Sequence, residues 1–125
     1  MKARLFSLLL GILLITSCDN RIPYFEKTTY RFDNQEQKTI LYTKDIIYSV
    51  SVYENEEPVA TEVVLPEGKS ESISGSWYTV SFSHDNRQQV ELELKENRSG
   101  SERSIHISTM GIRGCGAGCH VYQSK

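Results

Sequence analysis

Cys115-Gly116-Ala117-Gly118-Cys119-His120 is the densest run of reactive side chains in this chain of 125 residues. Haem attachment needs Cys-x-x-Cys-His, and here the cysteines stand one residue further apart. Redox-active dithiols sit among alternating strands and helices, which do not surround this loop. Zinc asks for four ligands, and His84 or His106 would have to come from elsewhere. The leading reading is therefore a structural disulfide between Cys115 and Cys119, with the redox and metal readings open behind it. Such a bridge closes a short ring and contributes about 2 kcal/mol. No metal and no cofactor are expected.

Serines are plentiful, but none stands in Gly-x-Ser-x-Gly, and the acids fall on outward strand positions or in turns. Paired carboxylates for glycoside hydrolysis need a cleft that a small sandwich seldom provides. No catalytic residue is named and no enzyme is expected. Aromatic side chains offer the remaining chemistry, because apolar sugar faces lie flat on rings. A lone Trp at a strand start usually packs into a core, so Trp77 is a contact candidate chiefly if it is exposed. Tyr53 and Tyr24, off the main inward faces, are the better candidates.

The elements that would carry these residues are strands. From Thr29 onward apolar residues alternate with polar ones, and no helical stripe of useful length appears. Tyr30 and Phe32, Ile40 and Tyr42, and Ile46, Tyr48, Val50 and Val52 open the series. Val59, Thr61, Val63 and Leu65 follow, then Tyr78, Val80 and Phe82, then Val90, Leu92 and Leu94. Ile105 and Ile107 precede a last short strand at Val121 and Tyr122. Turn residues punctuate the runs at Glu57-Pro58, Pro66-Glu67-Gly68, His84-Asp85-Asn86, Asn97 to Gly100 and Gly111 to Gly118. Seven to eight short strands at this spacing predict an all-β, immunoglobulin-like antiparallel sandwich. A small closed barrel is the second architecture, since alternation does not separate the two.

The first residues read as an export segment. Lys2 and Arg4 precede the apolar run Leu5–Ile15, which at about 1.5 Å per residue spans roughly 16 Å, against roughly 30 Å of bilayer hydrocarbon. That is a secretory signal and not a spanning helix. Ile15-Thr16-Ser17-Cys18 resembles the lipobox of bacterial lipoproteins. The resemblance implies a signal peptide over 1–17, cleavage before Cys18, diacylglycerol on its sulfur and acylation of the new amino group. Residues 18–28 are read as a tether, and 29–125 as the domain. Of 14 basic and 16 acidic residues the export segment holds two basic ones, leaving 12 against 16, a net charge of −4. That balance argues against nucleic acid as a partner.

Further along, Trp77-Tyr78-Thr79-Val80-Ser81, the strand at Val90–Lys95, Glu96-Asn97-Arg98-Ser99-Gly100, Arg103-Ser104-Ile105-His106-Ile107 and Val121-Tyr122-Gln123 occur in order. Over Trp77–Gln123 the chain resembles BACON domains, immunoglobulin-like modules common in Bacteroidetes. The resemblance implies an accessory, glycan-contacting module. The residues have their own logic: Asn97 can bond its own turn, Gly100 supplies a strained backbone position, and Arg103 is expected to pair with Glu91 or Glu93. Together these readings describe a non-catalytic lipoprotein of the bacterial envelope, placed at the outer membrane with its side undetermined. Its partners would be the membrane, through Cys18, and a glycan or an envelope protein. The alternative is a structural or protein-interaction component of an envelope complex.

Overall fold

A computed structural model describes residues 21–64, 70–112 and 114–125. Cys18 and the export segment lie outside the described residues, as does Leu65. Among the described residues there are nine strands and no helix: β1 (Thr29–Phe32), β2 (Gln37–Tyr42), β3 (Ile47–Glu54), β4 (Glu57–Val64), β5 (Ser70–Ser74), β6 (Tyr78–Ser83), β7 (Asn86–Leu94), β8 (Arg103–Gly111) and β9 (Gly116–Gln123). They form two sheets, β1-β9-β8-β3-β4 and β2-β7-β6-β5. Every pairing is antiparallel except β1 with β9, which run parallel. The architecture is the expected immunoglobulin-like sandwich.

Period-two alternation builds the core wherever the strands are regular. Val90, Leu92 and Leu94 of β7 point inward, as do Ile105 and Ile107 of β8 and Val121 of β9, all essentially inaccessible to solvent. Tyr78, Val80 and Phe82 answer them from β6. Glu91, Glu93, His106 and His120 alternate with these residues on the outer faces. Asn97 is buried and does organise its turn. Its Nδ2 donates to the carbonyls of Ser101 (2.8 Å) and Ser124 (2.9 Å), while its Oδ1 accepts from the Ser99 amide and hydroxyl. Gly100 takes a φ of 76° in the same turn, a value that a side chain would strain.

Several expectations change. Strand β5 was not anticipated, because Ser70-Glu71-Ser72-Ile73-Ser74 carries a single apolar residue; Ile73 alone is buried. In β3 the register shifts between Ile47 and Ser49 and again after Val50. Ile47 therefore enters the core while Tyr48 is exposed, reversing the phase read from the sequence. In β4 Glu62 adopts a φ of 48°, so Ala60 and Val63 pack inward and Val59 is exposed. Half of the supposed tether belongs to the domain: Phe25 is buried and bridges to Thr43, and the Pro23 carbonyl accepts the Thr109 hydroxyl (3.1 Å). Arg103 does not meet Glu91 or Glu93, which lie on the outer face of the other sheet. Its Nε donates to Gln123 Oε1 (2.9 Å), and its guanidinium also donates to the carbonyls of Lys95 and Glu96.

The Cys115–Cys119 disulfide is also corrected. Cys119 is a free thiol, wholly buried in the core. It sits inside β9 opposite Ile107, and four steps of largely extended chain from Cys115 cover on the order of 10 Å, beyond disulfide reach. Burial pushes the Cys119 thiol up to about 12, so the nucleophilic thiolate is scarce at neutral pH. We expect a maleimide to leave Cys119 unmodified in the native protein and to label it after denaturation, read by peptide mass spectrometry. Rapid native labelling would show that β9 opens or that the thiol faces solvent.

Candidate functional site

The outer face of the five-stranded sheet gathers side chains that lie far apart in sequence. Tyr53 of β3 stands opposite His106 of β8, and His106 stands opposite His120 of β9. The three form a row across adjacent strands. Their ring centroids lie 6.1 Å and 4.5 Å apart in turn. Tyr122, two residues beyond His120 and so on the same face, has its ring 6.3 Å from the imidazole of His120. Arg31 of β1 is registered with Tyr122, and its guanidinium lies 4.5 Å from that ring. Arg31 also approaches Glu102 at 3.8 Å, with both side chains well exposed.

Local sequence explains the arrangement. Alternation puts His106, His120 and Tyr122 outward because Ile105, Ile107, Cys119 and Val121 go inward. Gly118 leaves the space into which His106 leans: a Cβ there would lie 2.7 Å from its ring. Asn55 and Glu56 turn the chain between β3 and β4 with φ values of 52° and 65°, forming one rim. The result is an open concavity of about 790 Å³ lined by Tyr53, Asn55, Glu56, Ser104, Ile105, His106, Ser108, His120 and Tyr122. Burial, and then the neighbouring charge of His120, push the His106 pKa down, which favours the neutral imidazole. Its Nδ1 is buried and has no hydrogen-bond partner.

A second, smaller concavity of about 310 Å³ lies on the four-stranded sheet among Ser70, Ser72, Ser81, Ser83, Asn86, Gln89 and Glu91. Ser72 and Ser81 hydrogen-bond one another at 3.0 Å. Phe82 contributes to its wall but is itself 4% exposed, so no open ring face is presented there.

The contact candidates separate in this frame. Tyr53 joins the row. Tyr24 is exposed beside the end of β2, where its carbonyl accepts the Lys44 amide (2.8 Å), and no ring contact links it to Tyr53 among the described residues. Trp77 is buried, so its faces are not open to a ligand: the indole Nε1 donates to Glu54 Oε1 (2.9 Å), and Arg103 stacks over the ring at 4.6 Å. Sequence reasoning missed His106, His120 and Tyr122 as a group, since only the pairing of β3, β8 and β9 brings them to Tyr53. Their shared outward phase was the available signal. Among the described residues no three His, Cys, Asp or Glu side chains are grouped to hold a metal ion.

No family model matches the chain, and no curated protein matches it. Solved structures do. A Bacteroides thetaiotaomicron protein determined by NMR superimposes with a TM-score of 0.58 at 14% identity, over 84% of this chain and 83% of that one. The M4 domain of titin matches with a TM-score of 0.47 at 13% identity, over 82% and 93% of the two chains. A Bacteroides ovatus GH5 xyloglucanase, solved with a heptasaccharide, matches at 0.46 and 15% identity, over 79% of this chain and 17% of its own. At such identities the similarity concerns the fold alone: an immunoglobulin-like β-sandwich.

Proposed function

We propose that this chain is a non-catalytic, lipid-anchored envelope module of the BACON type that contacts glycans through the row Tyr53–His106–His120 and the adjoining Tyr122. The row itself carries the reading. Four rings from three adjacent strands line one open concavity, which suits the apolar C–H faces of sugars. Asn55, Glu56, Ser104 and Ser108 around them supply hydrogen-bonding groups for hydroxyls. A protein partner would more naturally add to the free edge strand β4, where Val59 and Val64 are exposed. That edge is blunted by Pro58, which lacks an amide donor, and by the left-handed backbone at Glu62. The glycan reading is therefore the better supported of the two.

A glycan array tests it. The full chain should retain at least one glycan class, and Tyr53→Ala with Tyr122→Ala should abolish retention. Each ring contributes about 1 kcal/mol of stacking, so the double change weakens binding roughly 30-fold. An array on which the wild type retains nothing, or on which the double variant performs equally, would remove glycans as the ligand class.

A further inference from the structure

The row contains a feature that sugar stacking does not require: two imidazoles directly opposite each other on adjacent strands. His106 and His120 are cross-strand partners in the β8–β9 ladder, with ring centroids 4.5 Å apart. Rings at that spacing can direct one nitrogen each toward a common point between or above them. His106 Nδ1 is buried without a hydrogen-bond partner, and a buried polar atom left unsatisfied calls for a ligand, an ion or a water. Among the described residues neither imidazole takes part in an ion pair. Gly118 beside His106 keeps the ring free of the clash that any side chain there would impose.

We propose that His106 and His120 form a two-imidazole site for a divalent transition-metal ion, Cu²⁺ foremost. Neutral imidazole nitrogen is a borderline ligand that suits Cu²⁺, Ni²⁺ and Zn²⁺, and the order of intrinsic affinities places Cu²⁺ first. Binding requires deprotonated rings, so affinity should rise with pH. Among the described residues no third His, Cys, Asp or Glu is grouped alongside them, so two imidazoles and solvent would make up the coordination. The site is open, on a surface already concave, so a bound ion would retain exchangeable positions. The inference does not depend on glycan recognition, because it concerns the ring nitrogens and stacking concerns the ring faces.

The test is a titration of the full chain with Cu²⁺ in a non-chelating buffer, followed by calorimetry and by electron paramagnetic resonance. One ion per chain should bind, with nitrogen hyperfine structure from two imidazoles. His106→Phe and His120→Phe keep a ring in place but remove the nitrogens. Each should weaken binding by at least about tenfold, the loss expected when a second tethered ligand is removed. His84→Phe, in the turn between β6 and β7, should leave binding unchanged. Absence of saturable binding, equal behaviour of the three variants, or a spectrum showing fewer than two imidazole nitrogens would overturn the assignment. The copper titration is read with no glycan present and the glycan array with no metal present, which keeps failure of the metal site distinct from failure of the stacking surface.

Discussion

Trp77→Ala is expected to lower stability by about 3–5 kcal/mol, a large part of the roughly 5–15 kcal/mol available to a domain of this size. The indole is 5% exposed, packs edge-to-face on Tyr78 at 5.1 Å and lies under the Arg103 guanidinium. Truncation leaves a cavity between the sheets and takes from Glu54 the donor at 2.9 Å. Tyr78 then remains as a partner, its hydroxyl 3.4 Å from the other carboxylate oxygen. That carboxylate and, more strongly, burial push the Tyr78 hydroxyl up to about 12, so it stays a proton donor throughout the physiological range. Thermal unfolding should show a fall in Tm on the order of 15 °C. Trp77→Phe should cost less, since most of the volume survives. An unchanged Tm for Trp77→Ala would place the ring at the surface and restore it as a ligand contact.

Cys18→Ser should move the protein from the membrane to the soluble fraction almost completely. The expectation follows from the lipobox resemblance of Ile15-Thr16-Ser17-Cys18 and from the arithmetic of acyl anchoring. One chain binds reversibly, and two or more hold a protein stably. Among the described residues no helix is long and apolar enough to cross a membrane. Fractionation of cells expressing the variant gives the answer, and retention of the variant in washed membranes would sink the anchoring proposal.

Strands β6, β7, β8 and β9 were legible because their inward positions are apolar and their outward ones polar without interruption. Legibility failed where backbone geometry shifts the period. The displaced register of β3 puts Ile47 and Val50 on one side, three residues apart, and the positive φ of Glu62 does the same to β4. One residue of slip exchanges the two faces of a strand, and no side-chain pattern in Ile46–Val52 announces it. Strand β5 escaped because it is held by pairing with β6 and needs only Ile73 in the core. Cys119 misled for a related reason. Proximity in sequence suggested a ring with Cys115, yet its even spacing from Val121 and Gln123 marks it as an inward residue of β9. The row of Tyr53, His106, His120 and Tyr122 could not be read from one dimension, since strand order and register create it.

The docking of Pro23 and Phe25 onto the sandwich bears on reach. Arg21 already lies against Gly111, where an added Cβ would come within 2.5 Å of its carbonyl. On the anchoring proposed for Cys18, only three residue steps separate the lipid from folded protein, at most about 10 Å of chain. The domain would then sit close to the bilayer on a short leash, with little of the free swing that a tether to residue 28 would allow. His106 lies five residues along β8 from Gly111, roughly 16 Å at strand spacing, toward the end of the sheet where the β3–β4 turn forms the rim of the concavity. On that proposed anchoring the module would not search far for a target, and a ligand would have to come within about the height of the domain from the membrane.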